Sequence, residues 1–236
     1  MCETCGCGVP SVHTIAVHER LLASNESIAE HNRLHLTTRK IFTINLMGAP
    51  GAGKTTLLEA MIRGRSRSGR FVVIEGDQAT DRDSARIRLA GASAYQIETG
   101  LGCHLEATQI HHALHHLEFA GGETLILENV GNLVCPALFD LGEHLRVLVT
   151  APTEGVEKPL KYPPIFRAAD IVLLNKCDLI PYLSFDSGEW TEYVRGVNPR
   201  AAIFELSAAT GDGLAAWLAE LERRRFGFLG SDASVP

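Results

Sequence analysis

Lys40 to Thr56 of this chain read KIFTINLMGAPGAGKTT. The apolar residues from Ile41 to Met47 predict a buried strand, and the residues after Thr55 repeat with the spacing of a helix. Between the two, Gly48 to Thr55 match the pattern G-x-x-x-x-G-K followed by Ser or Thr. Glycines let such a turn point successive backbone N–H groups inward, and the following helix adds the positive end of its dipole. This segment therefore predicts a phosphate-binding loop.

The side chains of the loop predict how a nucleotide is held. We expect Lys54 to lie against the β- and γ-phosphates and the hydroxyl of Thr55 to bind Mg²⁺. A chance glycine turn is the alternative, which the flanking strand and helix disfavour because the motif requires both. The loop residues expected at the nucleotide are Gly48, Gly51, Ala52, Gly53, Lys54, Thr55 and Thr56.

Length and composition narrow the class of protein. The chain has 236 residues, of which 45% are hydrophobic, and this suits one α/β domain with a substantial core. The net charge of −6 argues against a broad nucleic-acid-binding surface. No stretch reaches the roughly 18 consecutive apolar residues of a membrane span, and the N-terminus does not resemble a secretory signal. We therefore expect a cytoplasmic protein that binds neither nucleic acid nor membrane.

Acidic residues follow two further predicted strands. One strand runs from Arg70 to Glu75 and leads to Asp77, and another runs from Glu123 to Leu127 and leads to Glu128. Because the carboxyl ends of parallel strands share one edge of a sheet, we expect both acids to hold Mg²⁺ or to orient the attacking water. A helix N-cap is the alternative role for Asp77. The N–H of Gly131 is expected to sense the γ-phosphate.

A second motif predicts which base is bound. Asn175 to Asp178 read NKCD directly after an apolar strand. The carboxylate of Asp178 can accept hydrogen bonds from N1–H and N2–H₂ of guanine, a pair of donors that adenine lacks. We expect Asn175 and Lys176 to pack around the base, and the backbone N–H groups of Ser207 and Ala208 to contact guanine O6. Together with the phosphate loop, this motif predicts GTP binding.

The order of the predicted elements defines the fold class. Strands alternate with helices after the phosphate loop, which predicts an α/β fold with a mainly parallel, doubly wound sheet and helices on both faces. We divide the chain into an N-terminal arm at 1–38 with one or two tethering helices, a nucleotide domain at 39–228 and a disordered tail at 229–236. Within the domain, the helix after Glu106 is predicted to reach about Phe119.

The cysteines suggest metal ligation, because a reducing compartment keeps thiols unpaired. Cys2, Cys5 and Cys7 lie close in sequence to the α-amino group. Such an N/S donor set suits square-planar Ni(II) or tetrahedral Zn(II), and the residues alone do not choose between them. A flexible tail with incidental cysteines is the disfavoured alternative.

Cys103, His104 and Cys135 form a second candidate metal cluster. We expect them to follow neighbouring strands of the sheet, which would bring these positions together despite their separation in sequence. Three ligands leave room for water or for a fourth donor. Cysteines that merely fill buried space are an equally good interpretation of the residue pattern alone.

Histidines occur in two further groups. In the N-terminal region, we interpret them as exposed residues on helix faces, in preference to metal ligands. The helix after Glu106 carries two pairs with i,i+4 spacing, which can clamp a metal ion, although simple exposure is the favoured interpretation. The histidines of the two groups are His13, His18, His31 and His35, and His111, His112, His115 and His116.

Seven segments of the chain resemble a known family. The sequence is similar, over essentially its whole length, to the HypB family of nickel-insertion GTPases in NiFe-hydrogenase maturation. The matching segments, in family order, are MCETCGCG, GAPGAGKTT, EGDQATDRD, TGLGCHLEA, ENVGNLVCP, EKPLKYP and NKCDL. The resemblance implies a P-loop GTPase fold that dimerises with nucleotide. It also implies a nickel site at Cys2, Cys5 and Cys7, and it favours a nickel or zinc site at the second cluster.

The resemblance further implies a function and partners. We expect a GTP-hydrolysing nickel metallochaperone, with slow regulatory hydrolysis, that delivers nickel to the hydrogenase large-subunit precursor. Lys54, Asp77 and Glu128 are the expected catalytic residues, and the expected cofactors are GTP or GDP, Mg²⁺, Ni²⁺ and Zn²⁺. The implied partners are a HypA-type nickel protein, the large-subunit precursor, in some relatives SlyD, and a second copy of the chain. The long His-rich stretch of many relatives is missing, so bulk nickel storage is not expected.

Two alternatives to this function remain open. One is a metal-storage module whose nucleotide site is vestigial, which measurable GTP turnover would exclude. The other is a related chaperone for urease or for a cobalamin enzyme. Urease chaperones carry Cys-Pro-His at the second metal position, whereas this chain has Cys103-His104 with Cys135. Cobalamin chaperones would not need the N-terminal thiols.

Overall fold

The apolar run ahead of the glycine-rich loop forms the central strand of a parallel sheet. This strand, β1, spans Phe42–Gly48, and all of its residues are buried. Phe42, Ile44 and Leu46 belong to one apolar cluster, whereas Met47 belongs to another. Because successive side chains of a strand point to opposite faces, β1 is covered on both sides, as is typical of a parallel strand inside an α/β domain.

The structure is a computed structural model that describes residues 12–64, 70–77, 82–100 and 102–230. The predicted site at Cys2, Cys5 and Cys7 lies outside these residues, as do residues 231–236 of the predicted tail. Within the described ranges, no helix combines the length and the apolar character needed to cross a membrane.

Helices and strands alternate along the chain. The helices are α1 (Val12–Thr38), α2 (Lys54–Gly64), α3 (Arg82–Ala90), α4 (Ala107–Leu114), α5 (Lys158–Lys161), α6 (Pro163–Ala168), α7 (Ser187–Val197) and α8 (Leu214–Gly230). The strands are β1 (Phe42–Gly48), β2 (Phe71–Asp77), β3 (Ser93–Glu98), β4 (Thr124–Glu128), β5 (Leu145–Thr150), β6 (Ile171–Leu174) and β7 (Ala202–Glu205). Short 3-10 turns occur at Cys135–Ala137, Pro152–Glu154 and Cys177–Tyr182.

The seven strands form one sheet in the order β3-β2-β4-β1-β5-β6-β7, and every strand pair is parallel. The strand order reverses beside β1, which lies between β4 and β5. In sheets of this kind, ligands bind in the crevice beyond the carboxyl ends of the strands at such a reversal. The predicted parallel, doubly wound sheet is confirmed.

Helices cover both faces of the sheet. On one face, Leu57 of α2 and Trp217 of α8 pack into the cluster around Phe42. On the other face, Phe166 of α6 and Trp190 of α7 pack beside Met47, and α1 and α4 cover the half of the sheet that contains β2 and β4. The core therefore lies in two layers, and the predicted arrangement of helices is confirmed.

α1 is a single helix that packs onto the nucleotide domain. Leu36 is fully buried in the cluster that α1 shares with α4. The side chain of Asn25 accepts a hydrogen bond from the N–H of Ala107 at 2.9 Å, and Asn32 donates to the carbonyl of Ala107 at 2.8 Å. The last turns of α1 therefore pack as part of the nucleotide domain. The boundary that we drew between the arm and this domain, at residue 38, coincides with the end of α1.

Two helix ends differ from the predictions. α4 ends at Leu114, so the prediction that it reaches about Phe119 is wrong. The N–H groups of His115 and His116 bond to carbonyls three residues back, which tightens the chain and ends the helix. α8 continues to Gly230, so the predicted tail begins too early.

The loop between β3 and α4 follows an unexpected path. β2 lies between β3 and β4, so the expectation that Cys103 and His104 follow a strand next to the one before Cys135 is wrong. The loop instead crosses the carboxyl end of β2, where the side chain of Leu105 lies over Gly76. A Cβ atom at residue 76 would lie 2.7 Å from Cδ2 of Leu105. Glycine at this position leaves room for the Leu105 side chain, which is fully buried, to pack over the end of β2.

Truncation of Leu36 tests whether α1 is part of the folded unit. Leu36→Ala should lower the free energy of unfolding by about 2–5 kcal/mol, because it removes fully buried methyl groups and leaves a cavity. Leu34 lies on the same helix with 66% of its surface exposed, so Leu34→Ala is the matched control and should cost less than about 0.5 kcal/mol. Urea denaturation measures both variants. Equal effects would contradict the integration of α1 into the domain.

Candidate nucleotide and metal-binding site

The phosphate loop lies where β1 ends, between β4 and β5. Gly48 has no room for a side chain, because a Cβ atom there would lie 2.3 Å from the carbonyl oxygen of Val149 on β5. Gly53 has a φ of 94°, and a Cβ atom there would lie 2.5 Å from Nδ2 of Asn175. These two glycines allow the loop to pass close to β5 and to the segment after β6 before α2 begins at Lys54.

Three of the predicted phosphate- and magnesium-binding side chains meet at the start of α2. The hydroxyl of Thr55 donates to Oε1 of Glu128 at 2.8 Å. The ammonium of Lys54 donates to the carbonyl oxygens of Gly48 and Ala49 at 3.2 and 3.4 Å. Burial lowers the pKa of Lys54, and the negative charge of Glu128 opposes this shift. Lys54, Thr55 and Glu128 are therefore brought together at one point.

Glu75 also lies at this point, although the sequence motifs did not predict a role for it. It pairs with Glu128 in the register of β2 and β4, and its Oε2 accepts a hydrogen bond from Oγ of Ser84 at 2.5 Å. Burial raises the pKa of Glu75 and of Glu128 to about 7, although each carboxyl group accepts a hydroxyl hydrogen bond that opposes the shift. Asp77, at the end of β2, lines the same cleft. The only sequence signal for Glu75 is an acid within an otherwise apolar strand.

The cleft has the chemistry that a magnesium nucleotide requires. Its volume is about 550 Å³, and Thr56 of α2 and Arg86 of α3 also line it. Oε2 of Glu128 is buried and has no hydrogen-bond partner among the described residues, so it can accept a ligand. Mg²⁺ prefers carboxylate, hydroxyl and phosphate oxygens. The residues around Thr55 and Glu128 therefore fit Mg²⁺ together with a polyphosphate.

The NKCD segment lies beside the phosphate loop. Asn175 joins three segments, because its Nδ2 donates to the carbonyl of Ala52 at 3.0 Å and its Oδ1 accepts from the N–H of Ala208 at 3.0 Å. Oδ1 of Asp178 is buried and has no hydrogen-bond partner in the described part of the chain. A buried carboxylate oxygen without a partner fits a ligand that presents N–H donors. This arrangement fits the predicted recognition of guanine.

The other predicted nucleotide contacts surround the same site. Nζ of Lys176 donates to the carbonyl of Gly51 at 2.7 Å. The hydroxyl of Ser207 accepts an N–H from its own turn at 3.2 Å, which shapes the segment after β7. Gly131 lies against the phosphate loop, where a Cβ atom would be 3.0 Å from Pro50. The segments after β1, β4, β6 and β7 therefore meet at one edge of the sheet.

Cys103, His104 and Cys135 converge as the sequence predicts. The two sulfur atoms are 3.1 Å apart, and Sγ of Cys103 is 3.6 Å from Nδ1 of His104. All three ligand atoms lie within 4.8 Å of one another. Burial lowers the pKa of His104, which favours the neutral imidazole that binds metals. Burial and the neighbouring Cys103 raise the pKa of the Cys135 thiol. The three side chains can share one metal ion.

Two asparagines connect this cysteine cluster to the phosphate loop. Asn132 pairs with Gly48 in an antiparallel β-bridge, and its Nδ2 donates to the carbonyl of Cys103 at 3.2 Å. The Oδ1 of Asn129 accepts a hydrogen bond from the N–H of Leu105 at 3.1 Å. The sequence motifs predicted no role for either asparagine. The loop that carries Cys103 and His104 is therefore bonded to the segment after β4 at two points.

The fold and the cleft define a P-loop nucleotide-binding protein. Residues 42–205 match the family model described as CobW/HypB/UreG, nucleotide-binding domain. Within this group of P-loop NTPases, the chain belongs to the HypB family of hydrogenase maturation factors.

Similarity to known members extends over most of the chain. The hydrogenase maturation factor HypB of Azotobacter vinelandii is 47% identical over 218 residues, which cover 92% of this chain and 72% of that protein. The hydrogenase/urease maturation factor HypB of Helicobacter pylori is 38% identical over 198 residues, which cover 82% and 81%. A crystal structure of HypB from Helicobacter pylori in complex with nickel is 36% identical, with a TM-score of 0.81 and coverage of 87% and 97%. The family resemblance and the fold class are confirmed.

The buried carboxyl groups predict how stability depends on pH. The pKa of Glu75 rises from 4.5 to about 7 on folding, so the folded chain holds more protons than the unfolded chain between these values. This group therefore makes the protein less stable as the pH rises through that window. Glu75→Gln removes this titration, so the variant escapes the loss of stability. The free energy of unfolding of the variant minus that of the parent should therefore be roughly 1–3 kcal/mol larger at about pH 8 than at about pH 5.

Urea denaturation of both proteins at the two pH values measures this difference. Glu118 is exposed, so Glu118→Gln serves as the control, and its stability relative to the parent should change little with pH. If Glu75→Gln and the parent differ in free energy of unfolding by the same amount at both pH values, the raised pKa of Glu75 is contradicted.

Proposed function

We propose that this protein is a GTP-hydrolysing nickel metallochaperone that delivers nickel to the large-subunit precursor of a NiFe hydrogenase. The observation that carries this proposal is the connection through Asn132, which pairs with Gly48 of the phosphate loop and bonds to Cys103 of the metal cluster. A nucleotide can control metal affinity only if the two sites share a structure that differs between states. The names of the relatives as hydrogenase maturation factors, and the nickel complex of the Helicobacter pylori protein, also support it.

Guanine is the base that the NKCD segment suits best. Asp178 has a buried carboxylate oxygen without a partner, and Asn175 holds the segment against the phosphate loop through Ala52. Guanine supplies two N–H donors to such a carboxylate, whereas adenine would leave it unpaired, at a cost of about 1–3 kcal/mol. Lys176, Ser207 and Ala208 complete the base pocket in this proposal.

Hydrolysis would depend mainly on charge stabilisation and on the position of water. The ammonium of Lys54 lies within the phosphate loop, where it would neutralise charge on the transferred phosphoryl group. Thr55, Asp77 and Glu128 would hold Mg²⁺, which supplies further positive charge at the phosphates. The same acids would orient the attacking water. Gly131, in contact with the phosphate loop, would pass the response to the γ-phosphate into the segment after β4.

The cargo site in this proposal is the cluster of Cys103, His104 and Cys135, which would bind nickel or zinc. Cys135 lies four positions after Gly131, whereas the other two ligands lie on the loop that crosses β2. Movement of the segment after β4 would therefore displace one thiolate relative to the other two ligands. Metal affinity would then differ between the GTP and GDP forms, and hydrolysis would drive the release of nickel.

The N-terminal arm and the partners complete the proposal. Cys2, Cys5 and Cys7, with the α-amino group, would form a separate nickel site in a cytoplasmic protein whose thiols stay reduced. Nickel would pass between a HypA-type protein, this chain and the hydrogenase precursor, with SlyD as a further candidate donor. Val134 and Leu138, which flank the turn that begins at Cys135, are half exposed and could be covered in a nucleotide-dependent homodimer.

Urease maturation is a second candidate function, because the Helicobacter pylori relative is named for both hydrogenase and urease.

Deletion of the gene should abolish hydrogenase activity in cells grown at low nickel, and added nickel should restore it. Loss of urease activity with normal hydrogenase activity would favour the second candidate. A defect that added nickel does not relieve would contradict a role in nickel supply.

Substitution of Asp178 tests the choice of base. Asp178→Asn removes the anionic acceptor and should weaken GTP binding at least about tenfold. Xanthine carries a carbonyl where guanine carries an amino group, so XTP should bind the variant better than it binds the parent. Competition between labelled GDP and unlabelled GTP, XTP and ATP measures both effects, and restored binding of XTP shows that the variant is folded. A variant that keeps the parent's preference for GTP would contradict the assignment.

Nucleotide should change metal affinity at the cysteine cluster. In a Cys2/Cys5/Cys7→Ala variant, Ni²⁺ and Zn²⁺ affinities measured with GDP and with a non-hydrolysable GTP analogue should differ by about 5–150-fold. Added metal should change the affinity for the nucleotide by the same factor, because coupling is reciprocal. Asn132→Ala should reduce the ratio, since it removes the bond to Cys103.

The fraction of dimer must be known in each measurement, because dimerisation could itself change affinity. If the GTP-analogue and GDP forms bind metal equally at equal dimer fraction, the cluster is structural and the coupling mechanism is wrong.

A further inference from the structure

Four histidines that the proposed function does not use lie together where α1 meets α4. His31 and His35 are one turn apart on α1, and His111 and His115 are one turn apart at the end of α4. The ring centroids of His31 and His111 are 5.3 Å apart, and those of His111 and His115 are 4.9 Å apart. These four residues are called the imidazole cluster below.

The packing of α1 against α4 holds the two histidine pairs beside each other. Asn25 and Asn32 of α1 bond to the N–H and the carbonyl of Ala107, the first residue of α4. Asn32 also donates to the carbonyl of Leu141 at 3.3 Å and is fully buried. The positions of the two helices are therefore fixed next to the cluster, so the histidines meet because of the fold.

Asn32 also determines which nitrogen of His111 carries the proton. Its Nδ2 faces two carbonyl oxygens and must be the donor, so its Oδ1 can only accept. This Oδ1 lies 3.3 Å from Nδ1 of His111, which therefore donates to it. The lone pair of His111 is then on Nε2, the atom that faces His115. Histidine ligands of metals commonly have the other ring nitrogen hydrogen-bonded in this way.

The spacing of the facing nitrogens suits one class of metal ion. Nε2 of His111 and Nε2 of His115 are 3.4 Å apart. Two nitrogens bound at about 2.0–2.1 Å to one tetrahedral ion lie about 3.3–3.4 Å apart, whereas an angle of 90° would bring them to about 2.9 Å. The pair therefore has the spacing of a tetrahedral site, for which zinc is the usual ion.

The protonation state of the cluster also suits a metal. The pKa of His111 is lowered by burial and by the neighbouring imidazoles. The pKa of His35 is lowered by burial, by Arg39 and by the other members of the cluster. Neutral imidazole is the form that binds metals, so these rings need not lose a proton to bind at neutral pH.

A hydrogen bond from Nε2–H of His115 to His111 is the competing account of this geometry. It explains the pair but not the approach of the His31 ring from α1 to His111. His116 of the same segment provides a contrast, because its ring stacks on Tyr95 at 5.7 Å and takes no part in the cluster.

We propose that the imidazole cluster binds one divalent transition-metal ion of the zinc class, with His111 and His115 as the preformed pair. Among the described residues, no third histidine nitrogen lies within 4.8 Å of both members of this pair, so His31 and His35 would turn toward the ion on binding to complete a tetrahedral site. An ion at this position would join α1 to α4. The site is separate from the nucleotide cleft and from the cysteine cluster, so it does not depend on the proposed function.

The test uses the full chain with Cys2, Cys5, Cys7, Cys103 and Cys135 replaced by Ala, which removes the thiolate sites. Co²⁺ alone is the spectroscopic probe, because four-coordinate Co²⁺ absorbs strongly in the visible range, and Zn²⁺ affinity follows from competition. We expect one Co²⁺ or Zn²⁺ per chain. His111→Gln and His115→Gln should each weaken binding at least about tenfold, whereas the control His116→Gln should leave the affinity within about twofold.

Two measurements keep the test valid if a variant folds poorly. Zn²⁺ should raise the Tm of the chain with these five cysteines replaced, and of its His116→Gln form, but not of its His111→Gln form, since a ligand stabilises only the state that binds it. In long-range ¹H–¹⁵N spectra of the chain with the five cysteines replaced, Zn²⁺ should shift the Nε2 signals of His111 and His115 and leave that of His116 unchanged. The proposal would be overturned if the test chain bound the metal no more tightly than its His111→Gln/His115→Gln double variant. It would also be overturned if His116→Gln lowered the metal affinity as much as His111→Gln.

Discussion

The close approach of Gly48 to β5 is the constraint on which the nucleotide site depends. A side chain at this position would overlap the carbonyl of Val149, so β1 can pass into the phosphate loop here only if the residue is glycine. The backbone of Gly48 also pairs with Asn132, which brings the segment after β4 alongside the loop. Two segments that are far apart in sequence therefore share one backbone position. A displacement of either segment must be accommodated by the other.

Burial opposes charge at the same edge of the sheet. It lowers the pKa of Lys54 and raises those of Glu75 and Glu128, although the attraction between Lys54 and Glu128 partly offsets the shifts of these two groups. A divalent cation beside the two carboxyl groups would favour their ionised forms, and an anion beside the ammonium would favour its protonated form. Cation binding should therefore be coupled to proton release from the carboxyl groups, whereas phosphate binding favours the protonated ammonium, and each ligand should strengthen binding of the other.

The features of the fold and site that could be predicted are encoded by continuous stretches of the sequence. Gly48 to Thr55 and the NKCD segment each specify a backbone shape and its chemistry within a few residues, so most of the proposed nucleotide contacts followed from them. The parallel sheet followed from the alternation of predicted strands and helices. The role of Glu75 depends on strand register, and that of Asn129 on a bond between two loops, which no local pattern encodes. The position of β2 between β3 and β4 is likewise a result of global packing. The cysteines still converge because the loop after β3 crosses β2.

Because the loop crosses β2 here, residue 76 can affect the geometry of the cysteine cluster without contacting its ligands. Leu105 lies directly over Gly76 and follows His104 in the chain, so even one methyl group at residue 76 must displace the fully buried Leu105 side chain and strain the loop that carries it. The displacement would move two of the three candidate ligands without altering the chemistry of any of them. Metal affinity could therefore be adjusted, by evolution or by design, through a position that contacts neither the ion nor the base. Alanine or serine at residue 76 would produce a graded series of weaker sites in which every ligand is retained.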